Sequence, residues 1–474
     1  MEKPRDYLQP TLDWVIGYLE SVRDLPVAAR VAPGDVVRAL AGAPPSSPEE
    51  LSAILEDLDR IVLPAVTHWN HPRFFGYFGL TGSLPGIAGE LIAATLNTNH
   101  MLWRSSPAGS ELEEVAARWL AQLLGLPEWF GLINDTASTS TFTALATARH
   151  RVDPAARSRG LAGGPRMAVY TSEQAHSSVD KAVVALGIGT DNLRKIPTDA
   201  EFRMDPRALS AAIAADVAAG VRPAAVVATV GTTATTSIDP VDAIASVCRR
   251  ERVWLHVDAA YGGAAAAVPE LRWILRGAER ADSVVVNPHK WLFVPIDCSM
   301  LYLRDPAATR EAFSVVPDYL RSTEGVPNLM DYGIALGRRF RALKLWMVMR
   351  SMGTEGIVAA LREHVRLAKL LAGWVAAEPN FELAAPVPLS VVNFRFTPPG
   401  AGGEELDRVN ESLAEAVNAS GEALLTSTTI RGRTALHAAV GNLGTNEADV
   451  AALWDLVKRL SRVVSVKRSA PPPF

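Results

Sequence analysis

The chain has 474 residues, with 47 basic and 51 acidic side chains, a formal charge of −4, and 48% hydrophobic against 21% charged residues. That length exceeds what one compact core usually holds, so two or three structural units are expected. Near-balanced charge without a long run of either sign argues against nucleic acid or an anionic membrane surface as a partner. Cys248 and Cys298 are too few for a disulfide framework or a zinc site, and both are expected to be reduced, buried thiols.

The N-terminal stretch MEKPRDYLQPTLDWVIGYLE lacks the unbroken apolar core and small-residue cleavage site of a secretory signal. No window approaches the roughly 18–20 apolar residues of a membrane span, so a cytoplasmic protein is expected. Leu12, Val15, Ile16 and Leu19 recur at helical spacing, and Pro26 and Pro33 end that segment. A second helix is predicted from Ser46 or Ser47 as cap, with Glu49 and Glu50 in its first turn. Residues 1–85 thus read as a helical arm, too small to fold alone, that packs on the rest of the chain or on a second subunit.

From residue 86 onward short apolar runs alternate with helical stretches: MAVYT (167–171), AAVVATV (224–230), VWLHV (253–257) and SVVVN (283–287). Continuous apolar strands alternating with helices imply an α/β fold, a mostly parallel central sheet with helices on both faces. The stretch SVVPDYLRSTEGVPNLMDYG (314–333) suits a mobile surface loop, and LGRRFRALKLWMVMR (336–350) a basic amphipathic helix. After a helix near 355–377, the remainder reads as a small α+β domain, with strands at 389–396 and 434–440, helices near 404–418 and 446–462, and a disordered SAPPPF tail. The expected division is arm 1–85, large domain 86–375 and small domain 376–474.

Ligands of parallel sheets bind beyond the carboxyl ends of the strands, which directs attention to the residues that follow each run. Five polar clusters stand there: DTAST (135–139) after FGLI, HSS (176–178), GTTATTSID (231–239), DAAYGG (258–263) and NPHK (287–290). Together they offer one edge of one sheet a lysine, an aspartate, a histidine and a set of hydroxyls. Pyridoxal phosphate (PLP) requires such a set. Its aldehyde needs a lysine, its phosphate needs hydroxyls and backbone N–H groups at a helix N-terminus, and its protonated ring nitrogen needs a buried carboxylate. Lys290, the turn Thr136-Ala137-Ser138 and Asp258 meet these needs in that order, and His176 could stack on the ring. The small residues Ala259, Ala260, Gly262 and Gly263 suggest the close approach of something flat. Taken singly, Asp258 could be a helix cap, His176 a hydrogen-bonded core histidine and the threonines of 231–239 an ST-rich turn.

HVDAAYGG (256–263), NPHKW (287–291), HSSVDKA (176–182), VATVGTTATTSID (227–239) and LGRRFRALKLW (336–346) together resemble the group II PLP-dependent decarboxylases, in their aromatic-L-amino-acid branch. THWNHPRFFGYF (67–78) and LWRSSPAGSELE (102–113) are similar to the same family, and the likeness runs over roughly 60–350, weakening after 380. The resemblance implies an aspartate-aminotransferase-like fold (fold type I) and an obligate homodimer with its active site at the subunit interface. It implies Lys290 as the Schiff-base lysine, Asp258 as the partner of the ring nitrogen and His176 as the stacking, catalytic histidine. Thr136, Ala137, Ser138, Asn287 and His289 would lie on the phosphate side, Thr233 and Ala260 along the ring, and Tyr77, Phe78, Asn99 and Met101 near the substrate.

Two positions depart from the family. Counting back from LGRRF, Leu329 stands where the family has the loop tyrosine that protonates Cα, and Tyr332 where it has tryptophan. Leucine cannot donate a proton, so either Tyr332 or His176 does, or the intermediate is diverted to an aldehyde. Gly79-Leu80 replaces the Pro-Thr of animal members. The implied reaction is decarboxylation of an aromatic L-amino acid. Decarboxylation of an acidic substrate lacks the additional basic group it would require, a catalytically dead fold is disfavoured by retention of Lys290, Asp258 and His176, and a metal site at His68 and His71 lacks a third ligand.

Overall fold

The structure, a computed structural model, describes residues 3–40, 42–315 and 326–469. Residues 316–325 of the expected loop and 470–474 of the tail lie outside them. The chain divides into two compact units, one formed by Leu80–Ala368 with Ala385–Val391, the other by Met1–Gly79, Lys369–Ala384 and Val392–Phe474.

The larger unit is built on seven strands: β1 (Phe130–Asn134), β2 (Met167–Ser172), β3 (Leu193–Ile196), β4 (Arg222–Thr229), β5 (Trp254–Asp258), β6 (Ser283–Val286) and β7 (Ser299–Leu303), in the order β1-β7-β6-β5-β4-β2-β3. β6, β5, β4, β2 and β3 pair in parallel, and β7 alone runs antiparallel to both its neighbours. Every residue of β2, β5, β6 and β7 is buried, which is why these runs are continuously apolar rather than alternating. The expected parallel α/β sheet is therefore present. β3 and β7 were not among the predicted strands. β3 (LRKI) is polar because its burial is partial; β7 (SMLYL) is fully buried and was missed despite the turn residues Pro295, Asp297, Asp305 and Pro306 on either side of it.

The smaller unit carries a four-stranded sheet, order β10-β11-β9-β8, from β8 (Phe381–Leu383), β9 (Val391–Phe396), β10 (Thr426–Ile430) and β11 (Arg433–Ala439). Helices Gly403–Ser420 and Glu447–Ser469 match the two expected there. A helix of 37 residues, Arg341–Ala377, is interrupted at Gly353, whose φ of 61° and ψ of 172° are open to glycine but costly for other residues.

Three expectations need correction. The second N-terminal helix begins at Leu51 with Glu50 as cap, not at Ser46 or Ser47. Residues 46–50 are all exposed, so no packing rewards another turn. The helix placed at 336 begins at Arg341, because the backbone of Arg338 is used elsewhere, taking Asn99 Oδ1 at 3.0 Å and giving its carbonyl to His100 N. The C-terminal part of the expected surface loop is not on the surface. Leu329, Met330, Asp331 and Tyr332 are buried, Leu329 and Tyr332 packing with Leu132 and Phe130, and Asp331 accepting from Ser314 Oγ at 3.2 Å.

β1 is held from the side by a buried ion pair. Glu113 Oε1 accepts from Arg338 Nη2 at 2.6 Å and from Ile133 N at 2.7 Å, and Arg338 Nη2 also donates to the Ile133 carbonyl at 3.0 Å. Side-chain exposure is 7% for Arg338 and 2% for Glu113, so neither charge has water to fall back on. Glu113→Ala strands the guanidinium, and the expected loss is about 3–5 kcal/mol of unfolding free energy by urea denaturation. A loss below about 1 kcal/mol would contradict the role assigned to this pair.

Candidate active site

Parallel pairing brings the ends of the strands to one edge. Thr229 of β4 is in register with Asp258 of β5, and Asp258 with Val285 of β6. The loops after these strands interlock: Val230 N donates to the Asp258 carbonyl at 2.8 Å, Asn287 N to the Ala260 carbonyl at 3.1 Å, and Lys290 N to the Asn287 carbonyl at 3.0 Å. Across the reversed strand, Ala137 and Ala260 share a buried cluster with Val285, Leu301 and Leu303. The turn after β1 thus reaches the same edge as Asp258 and Lys290.

Asp258 is buried at 5% exposure, and one oxygen accepts from Ala260 N at 3.1 Å. Burial pushes the Lys290 ammonium below its ordinary pKa, with the Asp258 carboxylate pulling the other way. The His176 side chain reaches solvent, yet desolvation lowers its pKa, and the Lys290 charge lowers it further. Its Nδ1 accepts from Ser178 N at 3.1 Å, so the ring proton sits on Nε2. Thr136 caps the helix Ala137–Val152, its Oγ1 accepting from Thr139 N at 3.4 Å, with Ala137 buried and Ser138 exposed at the first turn. That places free backbone N–H groups and two hydroxyls at a helix N-terminus, an arrangement suited to a phosphate.

His289 and Asn287 constrain each other. His289 Nδ1 accepts from Cys298 N at 2.8 Å, so its proton is on Nε2, which lies 3.2 Å from Asn287 Nδ2. Two donors cannot share that contact. The amide therefore presents its oxygen to His289, and its NH2 group becomes the outward, unpartnered end of a buried side chain. Other buried polar atoms at or behind this edge also have no protein partner: Ser178 Oγ, Thr229 Oγ1 and Thr236 Oγ1. A lysine and aspartate at neighbouring strand ends, a helix N-terminus and orphaned donors fit PLP.

The two glycines among the small residues also have a packing role of their own. A Cβ on Gly262 would stand 2.6 Å from the Val230 carbonyl oxygen, and one on Gly263 2.9 Å from Val286. These two glycines let strand ends pack closely against each other. The 231–239 segment is an ST-rich turn, Thr232 Oγ1 accepting from Ser237 N at 3.0 Å, with Thr233 exposed at its tip. Asp239, absent from the candidate residues, anchors it by accepting from Thr229 N and Met204 N at 2.8 and 2.7 Å.

Not every candidate joins this edge. Asn99 Oδ1 accepts from Met101 N at 3.2 Å, and the Met101 carbonyl accepts from Met330 N at 3.2 Å. Asn99 and Met101 therefore lie beside the buried turn Leu329–Tyr332. The Tyr332 ring packs 4.5 Å from that of Phe130, which opens β1. Within this chain that is about 13 Å of strand away from the end that carries Thr136. Tyr77 and Phe78 belong to the smaller unit, Tyr77 stacking on Trp69 at 5.3 Å and Phe78 approaching His437 edge-on at 6.5 Å. His68 bonds Tyr18 and His71 the Arg23 carbonyl and Arg73 N, as structural histidines do.

The profile of the pyridoxal-dependent decarboxylase conserved domain matches residues 33–397. The chain belongs to that family. It is 39% identical to tryptophan decarboxylase 1 of Oryza sativa subsp. japonica (96% of this chain, 93% of the relative) and 36% identical to a phenylacetaldehyde synthase of Arabidopsis thaliana (96% and 95%). A crystal structure of Oryza sativa TDC with PLP and tryptamine superposes with a TM-score of 0.94 at 37% identity, covering 98% of this chain and 99% of that one. The fold is therefore that of the fold type I PLP enzymes, the cofactor is PLP, and the enzyme is a PLP-dependent decarboxylase. No helix among the described residues is long and apolar enough to cross a membrane.

Burial holds His100, His256 and His289 at pKa values of about 4, against 6.5 for a free histidine. Burial also pushes the Cys248 and Cys298 thiols up to about 12, so both free cysteines stay protonated. Because the three histidines have lowered folded pKa values, the unfolded chain binds more protons between pH 4 and 6.5, and stability is lost as pH falls through that window. Asp239, raised to about 6 by burial, and Asp282, also raised, act in the opposite sense, but the histidines lowered by burial, which include His68, His71 and His176, outnumber them. Urea midpoints should therefore drop between about pH 7 and 5; a flat or rising profile would refute the neutral-histidine reading.

Proposed function

We propose that the chain decarboxylates an aromatic L-amino acid to the amine and CO2, as a homodimer in which Lys290, Asp258 and His176 do the central work. The supporting observation is the interlocked strand ends that bring Lys290 and Asp258 to one edge with Thr136, Asn287 and His176 around them. The relatives named above, a tryptophan decarboxylase among them, support an aromatic substrate. PLP supplies a ring that accepts the electron pair released when the bond from Cα to the carboxylate breaks. Lys290 would hold the cofactor, and burial lowers the pKa of its ammonium, which eases loss of the proton that attachment requires. Asp258 keeps the ring nitrogen protonated. The Thr136-Ala137-Ser138 turn, Asn287 and His289 hold the phosphate, with Thr233 and Ala260 along the ring. Nε2 of His176 is the nitrogen that carries a proton, which makes it a donor candidate at Cα.

The same reading keeps residues 1–85 as an arm, 86–375 as the PLP domain and 376–474 as the small domain. The dimer is supported by apolar side chains left exposed on two helices, Leu8, Leu12 and Ile16 on one and Leu84, Leu91 and Leu96 on the other. In the dimer Tyr77, Phe78, Asn99 and Met101 line the substrate pocket, and the Leu329–Tyr332 turn, remote from its own strand edge, serves the other subunit.

A second reading has its own support: Leu329 brings no hydroxyl to the loop position, and a phenylacetaldehyde synthase is among the relatives. In that reading the amino acid, one O2 and one water would give the aldehyde, CO2, ammonia and hydrogen peroxide, O2 taking up the two electrons that a proton at Cα would otherwise retain. A panel of aromatic L-amino acids with products identified by mass spectrometry separates the two. Amine without peroxide supports decarboxylation with protonation, in which case His176→Gln should lower kcat by about 10²–10³ while the cofactor band is retained. Stoichiometric peroxide establishes the aldehyde route, and Leu329→Tyr should then shift products toward amine.

A further inference from the structure

Behind the strand edge runs a column of buried side chains that the reaction as described does not use. Trp291 follows Lys290 directly, and its indole has no exposed surface. On one face lies Tyr261, three residues beyond Asp258, with ring centroids 4.8 Å apart and planes within 4°. At the edge, Trp291 Nε1 donates to His364 Nδ1 at 3.0 Å, the two rings within 10° of parallel. Phe293 meets the His364 ring edge-on at 5.7 Å, and the Tyr261 and Ser390 hydroxyls bond each other. Exposure is 1% for Tyr261, 2% for His364 and 0% for Phe293 and Ser390.

Position is the reason this column matters. Lys290 stands in a helical turn of four residues, Pro288–Trp291, too short to hold its own geometry. One neighbour of that turn is fixed by the column, and the column's other ring is fixed to the segment leaving Asp258. The Tyr261–Trp291 stack therefore spans the two strand ends from behind. A stack of parallel rings resists separation but slides in its plane at little cost. A directional bond at the indole edge removes that freedom, and His364 provides it. Accepting at Nδ1 places the His364 proton on Nε2, so the ring is held in one tautomer.

We infer that His364 is a positioning residue for the reaction: through Trp291 it sets where Lys290 stands relative to Asp258, and so the alignment of the cofactor between them. The inference rests on Lys290 and Asp258 being the cofactor's two anchors. A ring without an acceptor at that place leaves the Trp291 N–H buried and unpaired, and the indole must shift to find a partner. Lys290, one residue away, shifts with it. Neither His364 nor Trp291 contacts substrate in this account, so affinity for the amino acid stays as it is while the cofactor is held less well.

The test uses the holoenzyme and three variants. Borohydride reduction followed by peptide mapping first establishes whether PLP is attached at Lys290; attachment elsewhere defeats the underlying reading, whatever the variants do. With attachment at Lys290 established, His364→Phe should release PLP about tenfold faster on dilution, with an altered visible band and kcat down about tenfold, and KM within about twofold. His364→Asn, whose Oδ1 occupies the place of Nδ1, should recover most of the loss. Trp291→Phe keeps a ring on Tyr261 but removes the donor, and should reproduce the His364→Phe phenotype; it stands in for that variant should His364→Phe fail to fold. Release rate, band and kcat within twofold of the parent in His364→Phe or in Trp291→Phe overturns the inference, as does a failure of His364→Asn to do better than His364→Phe.

Discussion

The parallel register of β4, β5 and β6 is the constraint on which the rest depends. With Thr229 beside Asp258 and Asp258 beside Val285, three consecutive loops must leave the sheet at the same level. Fully buried strands leave no tolerance for a slip, because a shift of one residue would turn Asp258 from the edge into the sheet's interior packing. The backbone bonds between these loops, from Val230 to Asp258 and from Asn287 to Ala260, then convert a shared level into a fixed surface. Gly262 and Gly263 belong to the same constraint. They remove side chains where strand ends approach closely, so the packing of the edge needs them.

A buried edge of this kind forces decisions about protons. His176, His289 and His364 each accept at Nδ1, from Ser178 N, Cys298 N and Trp291 Nε1 respectively, so each has its proton on Nε2. The backbone and the indole thereby choose one tautomer in a region where a wrong one would leave donors facing donors. Asn287 follows from His289 by the same logic, and its free amide end is a consequence of the bond His289 accepts from Cys298 N, nine residues beyond it. Lowered basicity of Lys290 and His176 has a common cause in desolvation, and the Lys290 charge lowers His176 further.

Much of this was legible in the sequence, for a physical reason. Strands buried on both faces write themselves as unbroken apolar runs, so MAVYT, VWLHV and SVVV could be placed, and the polar residues that follow each could be assigned to one edge. Elements whose burial is incomplete could not. β3 reads as polar, and β8 and β10 are short strands with exposed positions. The column behind Lys290 was invisible as well. Trp291 appears in the sequence only as the last residue of NPHKW, and His364, inside LREHVR, sits in a stretch indistinguishable from a charged helix surface. The Glu113–Arg338 pair joins residues 225 positions apart, and no local pattern announces such a partner. LGRRF therefore read as a basic helix face, although one of its arginines is buried.

The loop position held by Leu329 brings these strands of argument together. Once CO2 has left, the electron pair at Cα goes to a proton or to oxygen, and the chain decides by what it places nearby. Leucine supplies neither a proton nor a polar hold on water, and here it is packed with Leu132 and Tyr332 in an apolar cluster. Tyr332 does carry a hydroxyl, but burial raises its pKa, which makes it a weaker acid. In the conformation of this chain it faces the start of β1. Among the residues considered as donors, that leaves His176 as the group at the strand edge with a proton on an outward-facing nitrogen. Under the proposed reading, protonation of Cα through a single histidine of lowered basicity depends on how well that ring is aligned, as well as on what the loop position supplies.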